Sequence, residues 1–587
     1  MLYAAGAGLN TEKLCLEGTR VKILNEITDW INNVDDNAPR LFCLHGTAGS
    51  GKSAIAHTIA HRFEALGRLG SFFCFDRNRA AERRHEKIFA TIAQDLADCD
   101  PQLRKALAAA VRHKTSLRNT PDVLRQWQEL IVQPAKAMSD AMAGPIIIVI
   151  DALDESGNTD SRRHILRILA GRHSKAEGSI MNLPPHFRIL LTSRPLLDVI
   201  DAFKGAIHVR QKSMESIPST EDVQCYVTDQ LSEAQLGPAL STFSTSLARE
   251  SDGLFEWARL ACAYVKGENG AGAGLNTEGR FKTIMARSKG VPLLDGMYRL
   301  TLGTMFPKEE PERRRCIDRF KSVMAQILGT MEPLPLASLG AMRHHFVVDS
   351  DIDLHSIVVP MGALLSGAAD SSIPIRALHA SFPDFLIDRD RSGEYFIDVS
   401  PVQENLAFSC LLVMENGLRF NICQVPNSYL PNSKVPDLDH RIKEHISPEL
   451  AYSCRFWTVH VCNMPFKVSV ADLVRKLFSD EELLFWFEAL SLLGCINTCA
   501  GSLSSLIQWI MVRQLNLCII YLLMCTSPRK NIKESWMVQQ MHKNFFVYSV
   551  ALFHLAPLIC TCLHYHFRPR VQVFRRCLQT SFVVLQG

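Results

Sequence analysis

Leu41–Ser53 reads LFCLHGTAGSGKS, and the predicted architecture starts from this stretch. Four apolar residues typical of a strand lead into Gly-x-x-x-x-Gly-Lys-Ser, and an amphipathic helical pattern follows. Glycines let the backbone turn so that successive N–H groups face one anion, and the helix N-terminus adds partial positive charge. The stretch is therefore predicted to be a phosphate-binding P-loop, with the residues Gly46, Thr47, Ala48, Gly49, Ser50, Gly51, Lys52 and Ser53.

Two side chains at the end of this loop carry its chemistry. Lys52 supplies a point charge for the β- and γ-phosphates, and the Ser53 hydroxyl can bind Mg²⁺. The alternative is a chance glycine-rich turn, but the strand before it and the helix after it are the setting that the motif requires. We therefore expect ATP or GTP, together with Mg²⁺, as the cofactors.

A second predicted strand ends in a group of acids. Ile146–Ile150 is a β-branched run of the kind buried on both faces of a parallel sheet, and the sequence DALDE follows it. Acids at the carboxyl end of such a strand lie where α/β sheets bind ligands. Asp151 is predicted to hold Mg²⁺ through water, and Asp154 or Glu155 is predicted to orient the attacking water as a catalytic group.

A third predicted strand, RILLTSRP over 188–195, ends in polar groups and an arginine. In a phosphoryl-transfer site, Thr192 can sense the γ-phosphate and Arg194 can neutralise its charge as a catalytic group. The alternative is a strand followed by a turn that proline ends. With further strands predicted at 71–75 and 206–209, the pattern indicates an α/β fold with a mostly parallel, three-layer sheet over 39–210.

Composition limits the classes of function. The chain has 587 residues, a hydrophobic fraction of 47% and a net charge of +4, which is too small to indicate nucleic acid as a partner. Eighteen cysteines occur without a secretory signal ahead of them. We therefore expect a reduced protein in the cytoplasm.

Two polar features have simple local interpretations. Thr19-Arg20 is predicted to be a helix N-cap with an exposed arginine. His57 and His61 lie four residues apart on the first predicted helix after the P-loop, where no third metal ligand is near. We therefore predict that both histidines belong to a solvated helix face.

The motifs GTAGSGKS, DALDE and LTSRP together resemble those of a NACHT domain, which belongs to the STAND class of signal-transduction NTPases. The flanking segments CLEGTR and LGSFFCFDR resemble the large mushroom-type fungal NACHT proteins with WD repeats, over about residues 15–494. The resemblance implies a switch that rests with ADP, opens with ATP, self-associates, binds protein partners and hydrolyses nucleotide slowly at most. Fungal innate immunity is one role of such proteins.

The resemblance also implies how the chain is divided. It suggests a lead-in helix at 1–38, a nucleotide-binding domain at 39–210, a small helical domain at 211–285, a winged-helix-like domain at 286–400 and a helical domain at 401–494. His379 begins HASFPDFL, which resembles the motif whose histidine reaches the β-phosphate of ADP and holds the closed state. On physical grounds alone, a lone histidine before an apolar helix is more often a cap or core residue.

The tail over 495–587 leaves alternatives open. Its segment 545–567 lacks Lys, Arg, Asp and Glu and is long enough to span a membrane, but it contains Pro557 and three histidines. The segment also resembles the linker to a WD-repeat propeller, and no repeats follow it. Besides a switch, we consider a scaffold that binds nucleotide without turnover, a protein anchored to a membrane through 545–567 and, as a weaker alternative, a metabolic kinase.

Overall fold

The computed structural model describes residues 2–509 except positions 5, 36, 80–82, 137–143, 172–179, 218, 235, 269–271, 273, 287–291, 347–350, 369, 427–430 and 480. Among these described residues, no helix is both long enough and apolar enough to cross a bilayer. The segment 545–567, for which a membrane span was considered, lies outside the described residues.

The sheet region contains five parallel strands in the order β2-β3-β4-β1-β5. The α/β fold class with a parallel sheet is therefore confirmed. The fifth strand starts where the sequence predicted it to end, because its polar residues after Val209 lie at a sheet edge and carry no apolar signal. The strands are β1 (Leu41–His45), β2 (Leu69–Cys74), β3 (Ile146–Asp151), β4 (Phe187–Ser193) and β5 (Val209–Ser213).

Helices cover both faces of this sheet. Phe42 and Leu44 belong to an apolar core with α1 (Val21–Asn32) and α2 (Lys52–Ala65), whereas Cys43 belongs to a second core on the opposite face. This alternation is what a strand buried on both faces requires. The second face is covered by α3 (Ile88–Cys99), α4 (Pro101–His113), α5 (Val123–Gln126), a π-helical turn (Trp127–Val132), α6 (Gln133–Ala135), α7 (Thr159–Leu169) and α8 (Leu197–Phe203).

A helical region follows the sheet region, and its apolar core is continuous from Val223 to Leu506. This core crosses the predicted domain boundaries at 285 and 400, which stay predictions. The helices are α9 (Thr220–Leu231), α10 (Ala239–Glu250), α11 (Phe255–Lys266), α12 (Thr277–Met285), α13 (Leu293–Gly303), α14 (Glu312–Gly329), α15 (Leu336–Arg343), α16 (Leu354–Val358), α17 (Ser381–Leu386), α18 (Arg389–Ser392), α19 (Val402–Gly417), α20 (Leu438–His445), α21 (Pro448–Cys462), α22 (Val468–Ser479) and α23 (Glu482–Leu492).

One short antiparallel hairpin interrupts the helices, with β6 at Leu365–Ser366 and β7 at Arg376–Ala377. From the sequence pattern, β-like segments are predicted at 374–378 and at 395–399. The first contains β7. The second is absent as a strand from the described residues, where Gly393–Tyr395 forms a 3-10 turn instead. Its apolar residues are fixed by packing in the helical core rather than by strand pairing.

The two local interpretations of polar residues near the P-loop are wrong in part. Arg20 is 4% exposed, and its backbone has a φ of 56° at the start of α1, without a side-chain cap from Thr19. His57 is 1% exposed and its Nδ1 accepts the Asn10 N–H, while His61 is exposed as predicted. The two errors have different causes. The N-terminal segment packs over α2 and buries His57, whereas Arg20 is buried against α9 and α11 of the helical region.

Candidate phosphate-binding site

The predicted P-loop connects β1 to α2, and its glycines satisfy two constraints. Gly49 and Gly51 have φ values of 84° and 90°, in the left-handed region that favours glycine. A Cβ atom added at Gly46 would lie 2.6 Å from the Cβ of Met214. Glycine at 49 and 51 therefore allows the turn of the loop, and glycine at 46 leaves room for the segment that follows β5.

Lys52 is the first residue of α2, and its ammonium group lies inside the loop. Its Nζ donates hydrogen bonds to the carbonyl oxygens of Gly46 at 2.8 Å and Thr47 at 2.9 Å. Burial lowers the pKa of Lys52, whereas the negative charges of Asp154 and Asp151 oppose that shift. The loop thus encloses a cation that is held by backbone carbonyls and is close to acids.

Ser53, Asp151 and Thr192 are brought together from three separate segments. The Ser53 Oγ lies 3.2 Å from Asp151 Oδ1, and the Thr192 hydroxyl donates to the same oxygen. The Ala152 N–H in turn donates to the Thr192 hydroxyl at 2.9 Å. This contact is possible because β4 lies between β1 and β3 in the sheet. Ser53 and Asp151 therefore present oxygen ligands at one point.

These two residues fit a magnesium ion better than a metal with an all-protein ligand set. Mg²⁺ is usually bound by one or two protein oxygens, with water and substrate phosphates completing its shell. Among the described residues, no group of three or more His, Cys, Asp or Glu residues is arranged to hold a metal. The ligand types at Ser53 and Asp151 therefore suit Mg²⁺ that arrives with a phosphate.

Asp154 and Glu155, the two candidates for orienting water, have different surroundings. Arg194 donates its backbone N–H and its Nε to the two Asp154 oxygens, both at 3.0 Å. Glu155 accepts only a backbone hydrogen bond, from Arg77 at 3.2 Å, among the contacts resolved for its carboxylate. Burial raises the pKa of Glu155 to about 7, with the Asp154 charge adding to the shift and Arg77 opposing it. Glu155 is thus the acid whose proton is exchangeable near neutral pH.

His379 comes from the helical region and stands just before α17. Its Nδ1 accepts the Ser381 N–H at 3.2 Å and lies 2.6 Å from the Ser381 hydroxyl, which lies 2.7 Å from the buried Tyr298 hydroxyl. Because Nδ1 is an acceptor, the neutral ring carries its proton on Nε2. Burial lowers the pKa of His379, an effect that Glu256 opposes and Arg194 adds to. The imidazole is therefore a neutral donor among the charges of the site.

The sequence interpretation missed residues that contact the backbone of the P-loop. Arg20 donates from Nη2 to the Ser50 carbonyl at 2.9 Å, and its guanidinium lies 4.8 Å from the centre of the Phe255 ring. The Arg20 N–H also donates to Asp222 at the start of α9. Glu256 donates its backbone N–H to the Gly49 carbonyl at 3.3 Å. The helical region thus contacts the loop directly.

Two further residues were missed near the acids. Asp384 on α17 accepts hydrogen bonds from Arg194 at 2.7 Å and from Arg77, which follows β2. The sequence offers no local signal for this contact, because 190 and 307 residues separate Asp384 from its two partners. The strand ends and α17 therefore meet through one shared carboxylate.

Comparison with known proteins identifies one related family for part of the chain. A family model described as nephrocystin 3, N-terminal, matches residues 18–194. The matched part includes the P-loop, the acids after β3 and Arg194. No curated protein matches the chain. Residues 18–194 are therefore similar to that N-terminal domain.

Proposed function

We propose that the chain is a nucleotide-dependent molecular switch with a NACHT-type nucleotide-binding domain. The observation that carries this proposal is the 3.2 Å approach of Ser53 to Asp151, beside a P-loop that encloses Lys52. In this proposal the ligand is ATP or GTP with Mg²⁺, and ADP is the ligand of the resting state. The similarity of residues 18–194 to another family's N-terminal domain is compatible with this assignment.

The residues around the loop suit a nucleotide phosphate chain. The backbone N–H groups of the P-loop and Lys52 would hold phosphate oxygens, and Ser53 and Asp151 would hold Mg²⁺. When bound, Mg²⁺ neutralises phosphate charge and orients the reacting group. Glu155 takes a proton from water as a general base, because its pKa of about 7 allows exchange near neutral pH. Arg194 stabilises negative charge from the end of β4.

Control of the switch is assigned to the segment around His379. A neutral imidazole with its proton on Nε2 donates a hydrogen bond to an anion, and its orientation is fixed through Ser381 and Tyr298. In the proposal this bond stabilises the closed state that holds ADP. To shift the ratio of open to closed states from 1:99 to 99:1, a ligand must bind the open state about 10⁴-fold more tightly than the closed state. One hydrogen bond from His379 supplies only part of such a difference in affinity.

We propose that the switch acts in the cytoplasm and signals by self-association. The cysteines among the described residues are free thiols, which is the state that a reducing compartment maintains. Hydrolysis is at most slow in this proposal. A chain that binds nucleotide without releasing phosphate would instead be the scaffold considered from the sequence.

The proposal is tested by substitution of the P-loop lysine in the full chain. We expect Lys52→Ala to weaken ATP and ADP binding at least about 100-fold, because two charge-assisted hydrogen bonds to phosphate are lost. Titration calorimetry measures both affinities. Lys105→Ala on the exposed face of α4 is the matched control and should bind like the wild type.

Two outcomes of this experiment have opposite meanings. Loss of binding in Lys52→Ala, with a change in the particle mass of the wild type between ADP and ATP, supports the switch. Retained nucleotide affinity in Lys52→Ala contradicts the phosphate-binding assignment itself.

A further inference from the structure

The contact between Asp384 and the strand ends uses both oxygens of one carboxylate. Arg194 Nη1 lies 2.7 Å from Asp384 Oδ2, and Arg77 Nη1 bonds Asp384 Oδ1. The Asp384 side chain is 16% exposed, and those of Arg194 and Arg77 are 24% and 35% exposed. Two guanidinium groups from the sheet region thus converge on one anion that the helical region supplies.

The two arginines lie where a phosphate-binding site is expected. Arg77 follows β2, the acids follow β3 and Arg194 follows β4, and these strands are neighbours whose carboxyl ends share one edge of the sheet. The backbone N–H groups of Arg77 and Arg194 bind Glu155 and Asp154 respectively. The acids of the candidate site therefore anchor the backbone of both arginines, and Asp154 also contacts the Arg194 guanidinium through its Nε.

A terminal phosphate matches the guanidinium nitrogens that face Asp384 better than one carboxylate does. Asp384 supplies two acceptor oxygens to both guanidinium groups, and the Arg194 Nε pairs separately with Asp154. A terminal phosphate carries more charge and three acceptor oxygens, and guanidinium groups bind such oxygens in a bidentate manner. A phosphate is thus the stronger ligand for two arginines that have been released by Asp384.

We propose that Arg77 and Arg194 together bind the terminal phosphate of a nucleoside triphosphate, and that Asp384 occupies this pair in the closed state. This inference rests on the proposed function and adds Arg77 as a nucleotide-discriminating residue. ADP lacks the terminal phosphate and leaves the Asp384 contact intact. A triphosphate competes with Asp384 for the same guanidinium groups. Binding of the triphosphate therefore favours separation of α17 from the two arginines, and that separation in turn strengthens triphosphate binding.

The test measures ATP and ADP affinities in the full chain for four proteins, which are wild type, Arg77→Gln, Asp384→Asn and the double variant. ATPγS replaces ATP so that hydrolysis does not disturb the titration. Arg77→Gln should weaken ATPγS binding in the Asp384→Asn background about tenfold, since one charge-assisted phosphate contact is lost. ADP affinity should change less than about twofold, because ADP does not reach this arginine pair.

Asp384→Asn should strengthen ATPγS binding relative to ADP and increase the oligomeric fraction in ATPγS. Arg84→Gln and Asp390→Asn are matched controls, because both side chains are exposed and lie close in sequence to the tested residues. Arg77→Lys keeps the charge and should recover part of the ATPγS affinity. Thermal melting of each variant verifies that it is folded.

The results separate this inference from the proposed function. If the wild type binds both nucleotides and Lys52→Ala binds neither, the P-loop assignment stands whatever Arg77 does. Equal effects of Arg77→Gln on ATPγS and ADP, or no effect on either in the Asp384→Asn background, would overturn the inference. A purely structural ion pair changes melting temperature without changing the ratio of the two affinities.

Discussion

The sheet region and the helical region build their cores in different ways. The sheet separates two apolar cores, one on each face, and leaves the carboxyl edge of its strands for polar groups. The helical region surrounds one continuous core and contacts that edge through segments that include the start of α11 and the segment around α17. In the proposed function, the reactive groups therefore come from the sheet region, and the groups that control the switch come from the helical region.

If the two regions have these separate roles, substitutions in each should affect different measured properties. Substitutions of the P-loop and of the acids after β3 should change binding or turnover, whereas substitutions in the helical segments, and of Arg77 that contacts Asp384, should change the preference between nucleotides and between conformational states. A variant of the P-loop or of those acids that changes only the preference, or a helical variant that changes only turnover, would contradict these separate roles.

The largest expected effect after the loss of Lys52 comes from Glu155→Gln. We expect ATP affinity close to wild type and a hydrolysis rate lower by about 100- to 10,000-fold, because a general base is removed. Steady-state phosphate release measures the rate, with Glu250→Gln on the exposed face of α10 as the control. Unchanged turnover would move the role of orienting water to Asp154 or to another group.

The same residue should make the stability of the nucleotide-free protein depend on pH. Its pKa is raised from 4.5 to about 7, so between these values the folded protein retains a proton that the unfolded chain has released. The free energy of unfolding should therefore fall as pH rises through this window, by at most about 3 kcal/mol. Urea unfolding at pH 5 and pH 7.5 should show a smaller fall for Glu155→Gln. Equal falls in the two proteins would contradict the raised pKa.

In the helical region, His379→Ala should favour the open state. We expect ADP affinity to fall about tenfold relative to ATP, because one phosphate hydrogen bond is lost. The monomer–oligomer balance measured by light scattering should shift toward the oligomer. His344→Ala is the control, since His344 is exposed on the protein surface. An unaltered balance in His379→Ala would remove its role in holding the closed state.

The smallest effect is expected from Tyr298→Phe. This change removes the hydroxyl that contacts Ser381 and should reduce ADP preference a few-fold through a less fixed His379. Tyr452→Phe removes a buried hydroxyl that contacts His460 in the same core. Both variants should lose about 1 kcal/mol of stability, but only Tyr298→Phe should change the nucleotide preference. A similar change in both would indicate a general effect of the helical core.

The sequence allowed the sheet to be predicted well where the signals are local. Glycine spacing and the apolar run before it located β1 and the loop, and the β-branched run located β3. The start of β5 was misplaced because an edge strand with polar residues carries little apolar signal. The position of a strand can therefore be predicted from the sequence when both faces of the strand are buried, because its residues then form an apolar run.

The candidate site was predictable only in part. Ser53, Asp151 and Thr192 each end or follow a recognisable strand or loop, so their meeting follows from a parallel sheet. Arg20 and Asp384 gave no such signal, since each acquires its role from packing against a distant segment. The burial of Arg20 depends on Phe255 and Asp222, more than two hundred residues away.

The order of the strands also has a mechanical consequence. The helical region is joined to the sheet after β5, and the contact of Arg20 with Asp222 lies beside that connection, whereas Arg77 follows β2 at the other edge. With strands about 4.8 Å apart, four spacings place these edges roughly 19 Å from one another. If the helical region turns as a rigid body about the β5 edge, about 15° of rotation moves a point above β2 by about 5 Å. A rotation of this size would break the contact of Asp384 with Arg77, whereas the contact of Arg20 with Asp222, which lies near the rotation axis, would change little.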